Sequence, residues 1–282
     1  MALDLDAVGA TSPAWTRSWT SADSLLYAVA LGAGPESLAF TTENSEGVAQ
    51  RAFPTYAALI AGGSAAVRDR LGDWDPAAMV HAGQHLAWHR ELPPAGTATL
   101  RTTVAAITDK GSGALVELVT TAVTDDGPLF DARSALFVRG AGGFGDRTGT
   151  RGEPADLGEP DGEVVVHTDG NQALLYRLCG DRNPLHSDPA FASRAGFADP
   201  ILHGLCTFGV TARVLLRHLL GDDPARMTSF GGRFRTPVTP GDVLRIRYWH
   251  KENGCVAFRA CRAGGDRPAI DDGVLGYAPE AA

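Results

Sequence analysis

The chain has 282 residues, 44% hydrophobic and 21% charged, which suits a folded protein of one large or two smaller domains and excludes a disordered chain. Its net charge of −8 excludes a nucleic-acid partner, because phosphate binding needs a basic field, so any anionic ligand has to be met locally. Met1 to Ala10 shows no basic segment leading into an apolar run, and no stretch of about eighteen apolar residues occurs, so the expectation is a cytoplasmic protein with no membrane partner.

Taken in chain order, the first half predicts a mostly apolar helix around Tyr56 to Leu71, then alternating strands over Thr97 to Val104 and Ala114 to Val123. A further strand, Ala135 to Val138, leads into Gly140-Ala141-Gly142-Gly143-Phe144-Gly145. That run fits the dinucleotide pattern, but Asp146 to Pro154 cannot form the helix such a site requires. It reads as a loop closing over a ligand, or as the start of a surface linker, Gly140 to Gly162, rich in Gly, Pro, Asp and Glu.

In the second half, Leu174, Leu175, Tyr176 and Leu178 have helical spacing that stops at Gly180. Asn183-Pro184 then forces extended backbone, so Asp181, Asn183 and His186 fall on a tight loop. A short helix follows, with Asp188 as N-cap, Pro189 at its first position and Gly196 as its stop. Leu205 to Leu220 is apolar on most sides, as in a helix enclosed by a curved sheet, and Gly221 is its natural C-cap. Strands Val243 to Trp249 and Val256 to Cys261 complete the pattern.

The halves repeat one another. Leu25-Leu26-Tyr27-Ala28 recurs as Leu174-Leu175-Tyr176-Arg177, and Pro94-Ala95-Gly96 before a strand recurs as Thr239-Pro240-Gly241 before another. One fold duplicated in tandem explains this, with repeats over residues 1–149 and 150–282. Each repeat is a helix followed by an antiparallel sheet, an α+β arrangement. Where the second half has Gly180-Asp181, the first has Leu31-Gly32-Ala33-Gly34-Pro35, with neither carboxylate nor histidine. The first repeat is therefore expected to lack the chemistry. Cys179, Cys206, Cys255 and Cys261 form no Cys-x-x-Cys pair and read as reduced core residues.

The string Gly180-Asp181-Arg182-Asn183-Pro184-Leu185-His186-Ser187-Asp188-Pro189, with the later Pro200-Ile201-Leu202-His203-Gly204-Leu205-Cys206-Thr207, resembles the signature of the (R)-specific enoyl-CoA hydratases, or hydratase 2, within the MaoC-like dehydratases. The likeness continues through Leu25 to Ala28, Asp109-Lys110-Gly111, Phe137 to Gly140 and Pro237 to Asp242, and so spans nearly the whole chain. It implies a double hot dog, two tandem repeats each wrapping a sheet around a central helix. It also implies reversible hydration of trans-2-enoyl-CoA to (R)-3-hydroxyacyl-CoA. By resemblance Asp181 and His186 are the acid–base pair, Asn183 orients the loop or the water, and Gly204 at the helix start is the oxyanion donor.

The same resemblance points to His81, Ala82, Lys110, Arg182, Pro184, Leu185 and Phe234 as the residues meeting the acyl-CoA, and to an acyl-chain pocket in the first repeat. One departure is visible: the family commonly reads His-Gly-Glu-Gln where this chain has His81-Ala82-Gly83-Gln84. No cofactor is expected, since the CoA is part of the substrate, and a homodimer is left open. Asp181, Asn183, His186, Asp188 and His203 could surround a cation, but a metal site is not expected, because His186 stands where an EF-hand needs glycine and no His-Glu-x-x-His occurs. The rival readings are a hot-dog acyl-CoA thioesterase, which the Asn183 and His186 pattern fits poorly, and a non-catalytic acyl-CoA-binding protein, against which the intact Asp181 and His186 speak.

Overall fold

The structure, a computed structural model, describes residues 2–62, 67, 69–73, 78–145, 156–265 and 267–279. Its first half contains β1 (Ala2–Leu3), β2 (Trp15–Trp19), α1 (Ser21–Ala30), α2 (Leu38–Thr41), α3 (Ala57–Ile60), β3 (Gly72–Asp73), β4 (Met79–Trp88), β5 (Gly96–Asp109), β6 (Gly113–Thr124) and β7 (Gly127–Arg139). The second contains β8 (Gly162–His167), α4 (Gln172–Tyr176), α5 (Pro189–Arg194), α6 (Gly204–Leu220), β9 (Met227–Phe234), β10 (Val243–Lys251), β11 (Cys255–Arg262) and β12 (Pro268–Tyr277).

Ten of these strands form one antiparallel sheet in the order β2-β5-β6-β7-β4-β9-β12-β11-β10-β8. Each half runs through the same sequence of positions, with β2 matching β8, β4 matching β9, and β5 to β7 matching β10 to β12. The halves meet where β4 pairs with β9, from Gly83 opposite Arg233 to Ala87 opposite Ser229. This is the expected double hot dog. The repeated Leu-Leu-Tyr lies on α1 and α4, whose Tyr27 and Tyr176 rings are 6.0 Å apart.

Helix α6 is the enclosed one. Every residue from Cys206 to Leu216 is buried, and Gly221 closes the helix at φ 65. Gly209 is needed for close approach, since a Cβ there would stand 2.6 Å from Leu31 Cδ2 and 2.9 Å from Tyr27 Oη. Helix α1 starts in a capping box: Asp23 N–H donates to Thr20 Oγ1 at 3.2 Å and Thr20 N–H to Asp23 Oδ2 at 2.8 Å. Its C-terminal carbonyls, which no helical amide can reach, are met by the other half. Gln172 Nε2 donates to Ala30 O at 2.9 Å, and Arg213 Nε to Leu31 O at 3.0 Å. One hydrophobic core accordingly runs through both repeats.

The helix expected over Tyr56 to Leu71 is interrupted among the described residues, although Val67 is again helical. A turn over Pro54–Tyr56 runs into α3, which ends at Ile60, and Gly62 N–H closes the turn on Leu59 O at 3.1 Å. Gly62 accounts for the stop, because glycine lowers helix propensity by about 1 kcal/mol relative to alanine. Leu71 lies in a separate turn, Asp69–Leu71, and Gly63 is outside the described residues. Likewise the proposed boundary between residues 149 and 150 lies outside them, with the middle of the linker.

The glycine loop after β7 is not open. The Asp109 carboxylate accepts amide bonds from Gly111 at 2.7 Å, Gly143 at 2.8 Å, Phe144 at 2.6 Å and Gly145 at 2.9 Å. Those four N–H groups hold Asp109 at about 2, well below an ordinary carboxylate. The loop is therefore fastened to β5 through Gly145. The cysteines also need correction: Cys206 is buried, while Cys179, Cys255 and Cys261 are only half-buried, and all four are free thiols.

Candidate active site

The loop from Gly180 to Asp188 is built by local bonds that its residue types dictate. Gly180 takes φ 129, open to glycine, at the end of the turn that continues α4. Asp181 Oδ1 accepts from Asn183 N at 3.2 Å, and Asn183 Oδ1 accepts from Leu185 N at 3.0 Å, capping the single turn Pro184–His186. Asp188 then caps α5, accepting from Ala190 N at 2.8 Å and Phe191 N at 3.2 Å, with Pro189 first in the helix and Gly196 past its end at φ 88. Asn183 thus shapes the loop through its carbonyl, while its residue is exposed.

His186 is drawn inward by this turn and is 9% exposed. Its Nδ1 lies 2.8 Å from Ile201 O; a carbonyl only accepts, so Nδ1 carries the hydrogen and Nε2 of the neutral ring is left as a base. Burial is the main cause that keeps its pKa below the ordinary imidazole value, partly offset by the Ile201 bond and by Asp181. The ring of His203, 1% exposed, stacks on His186 with centroids 3.7 Å apart and planes at 28°. By the same logic His203 Nε2 donates to Asp181 O, at 3.1 Å, and its Nδ1 is buried without a partner. Desolvation, then the neighbouring His186, brings His203 down to about 4.

Gly204 follows His203 and opens α6, where the first amides have no helical acceptor and the dipole favours negative charge. A Cβ there would meet the Phe234 ring at 3.5 Å, an ordinary contact, so crowding does not require glycine. Its bare backbone leaves the amide approachable. Phe234, at the end of β9, also packs edge-on against His81 of β4 at 5.1 Å. His81 Nε2 is buried without a partner, and desolvation lowers the ring to about 4, with Asp181 acting in the opposite sense. Tyr176 closes the far side, with its ring 4.9 Å from His203 and its hydroxyl buried and unpaired.

Asp181, His186, Gly204, His81 and Phe234 are thus brought into one neighbourhood from four separate segments. Ala82 sits at the irregularity between His81 and Gly83, where the β4–β7 register shifts. Leu185 is half-buried, and Arg182 and Pro184 are exposed on the loop's outer side. Lys110 lies at the β5–β6 turn, its N–H on Gly113 O at 2.9 Å, at the end of the sheet where β4 begins. His203 and Tyr176 complete the site; in the sequence His203 stands only as a candidate cation ligand, and neither residue is given a part in the acid–base chemistry. The sequence signal for His203 is its place before Gly204, one residue ahead of a helix N-terminus.

Donor atoms of Asp181, His186 and His203 lie within 4.8 Å of one another. The stacked rings suit a cation poorly, because each imidazole lone pair lies in its own ring plane and two nearly parallel planes do not converge on one ion. His203 Nε2 is, moreover, already engaged by Asp181 O.

Residues 18–140 match the MFE-2 hydratase 2 N-terminal domain, and residues 156–264 match the MaoC like domain. The chain is 44% identical over 290 residues to 3-hydroxyacyl-thioester dehydratase Y of Mycobacterium tuberculosis, covering 98% of this chain and 99% of that protein. It is 38% identical over 269 residues to enoyl-CoA hydratase ChsH3 of the same organism, covering 91% and 93%. The crystal structure of a MaoC-like dehydratase from Phytophthora capsici superposes with a TM-score of 0.86 at 33% identity, over 98% of each chain. With both halves matched and whole-length relatives at this identity, the chain belongs to the MaoC-like dehydratase family, in its hydratase 2 branch.

Proposed function

We propose that this chain reversibly hydrates trans-2-enoyl-CoA thioesters to (R)-3-hydroxyacyl-CoA, with Asp181 and His186 as acid–base pair and the Gly204 amide as oxyanion donor. The observation that carries this reading is the meeting of the Asp181–His186 loop with the half-buried start of α6. In the forward direction the thioester oxygen accepts from Gly204 N–H, which stabilises the enolate as negative charge moves onto that oxygen. A water held between the Asp181 carboxylate and His186 Nε2 gives its oxygen to C3 and its proton to the pair. A proton from the pair then reaches C2, so the elements of one water are added and no redox partner or cofactor takes part.

Phe234 and His81 form the wall beside Gly204 and exclude water from the thioester. The first repeat keeps the fold without the acid and base, and we assign it the acyl chain. No helix among the described residues is long and apolar enough to cross a membrane. We assign the enzyme to the cytoplasm, with a homodimer as an allowed assembly. Following loss of the enoyl absorbance of crotonyl-CoA while assaying free thiol tests the reading. Absorbance lost without thiol release supports a hydratase, thiol release would indicate a thioesterase, and binding without turnover would indicate an acyl-CoA-binding protein.

A further inference from the structure

Ile201 to Gly204 form a short template under the catalytic loop. Ile201 O holds His186 by its Nδ1–H at 2.8 Å, His203 Nε2 holds Asp181 by its carbonyl at 3.1 Å, and Gly204 opens α6. Between them Leu202, buried, ties the template to the body of the protein through its N–H on Val238 O at 2.7 Å. Three of these four residues thus address base, acid and thioester oxygen.

His203 is unlike a packing residue. Its side chain does not cap α6, and its Nδ1 is buried unpaired, a cost that a phenylalanine or leucine of similar volume would avoid. What a histidine gains there is one hydrogen bond, across 22 residues of sequence, to the backbone of Asp181. That bond matters because Gly180, immediately before, has no Cβ to restrict rotation of the peptide that carries Asp181. Without it, the local Asn183 bond would turn with the loop rather than hold it to the helix.

We propose that His203 is a positioning residue, whose Nε2–H fixes the Asp181 backbone so that the Asp181 carboxylate and the His186 imidazole share one water. The inference rests on the hydratase reading above. Because His203 would act through Asp181, its loss and the loss of the Asp181 carboxylate should not multiply.

The test compares His203→Gln and His203→Phe with crotonyl-CoA, each in the native chain and in Asp181→Asn, with melting temperatures alongside. His203→Phe keeps the ring and loses the donor. It should lower kcat about tenfold or more with KM nearly unchanged in the native chain, and by less than about twofold in Asp181→Asn. His203→Gln, which can return an N–H toward Asp181 O, should recover most of the loss. Should His203→Phe not fold, His203→Asn, polar but too short to reach that carbonyl, takes its place with the same expectation. Equal losses in both backgrounds, a Gln variant as poor as Phe, or a rise in KM alone would overturn the proposal. A native chain that leaves crotonyl-CoA unhydrated would instead overturn the functional reading.

Discussion

His186 and His203 lie face to face with ring centroids 3.7 Å apart, so a proton on either ring is repelled by a proton on the other. Burial already disfavours charge on both, and it brings His203 and, at the neighbouring wall, His81 to about 4. An unfolded chain would protonate these rings near pH 6.5. The unfolded state therefore binds more protons between about pH 6.5 and 4, and stability should fall as pH drops through that window and level off below it. For His203 alone the loss is on the order of 3 kcal/mol at most. Urea midpoints measured from pH 7 to 4.5 should decline, and less steeply in His203→Gln; a flat profile in the native chain would contradict buried neutral histidines.

Activity should follow His186 in the same direction. Because its folded pKa lies below the ordinary 6.5, the neutral base persists into mildly acidic solution. The acid limb of kcat/KM for crotonyl-CoA is expected below pH 6.5, with full activity at pH 7. A limb centred above pH 7 would mean that another group controls the reaction.

The proposed oxyanion glycine, Gly204, and the packing glycine Gly209 lie on one helix and are told apart by what a side chain there would meet. An added methyl at Gly204 meets Phe234 at 3.5 Å, whereas at Gly209 it enters Leu31 at 2.6 Å. Gly204→Ala should leave the urea midpoint nearly unchanged and lower kcat/KM about tenfold or more by obstructing the thioester. Gly209→Ala should cost about 1–3 kcal/mol of stability through overpacking. Native kcat/KM in Gly204→Ala would remove Gly204 from the oxyanion role.

The acyl chain offers a test of the first repeat. Ala61, at the end of α3, is 8% exposed, while Gly62 beside it is on the surface and is the poorer probe. Ala61→Leu should penalise decenoyl-CoA more than crotonyl-CoA, because each methylene denied burial costs about 0.8 kcal/mol. The ratio of kcat/KM between the two substrates is the readout. An unchanged ratio in a folded variant would put the chain elsewhere.

Much of the site was legible because punctuation residues build it: Gly180, Pro184, Asp188, Pro189 and Gly196 mark a loop and two helix ends whatever surrounds them. Helix α6 was legible from its all-round apolarity and Gly221. The strands where the repeats join were not, because Gly83, Gly231 and Gly232 break their alternation. Those glycines exist for close approach, a Cβ at Gly231 standing 2.4 Å from His85 Cδ2 and one at Gly232 standing 2.6 Å from Ile270 Cγ2. The pairing of His81 with Phe234 joins the two halves, and no local pattern encodes it; resemblance alone pointed there. The bond that gives His203 its place is not legible because its partner Asp181 lies 22 residues away, and the stop of α3 at Ile60 is not legible because the apolar run conceals the effect of Gly62.

The most direct measurement is the initial rate of crotonyl-CoA hydration by the native chain, Asp181→Asn and His186→Ala, followed by enoyl absorbance with free thiol assayed in parallel. The native chain should hydrate without releasing thiol and yield (R)-3-hydroxybutyryl-CoA, and each variant, folded by its melting curve, should lose about a hundredfold or more in kcat. Full activity in either folded variant, or thiol release by the native chain, would contradict hydration by the Asp181–His186 pair.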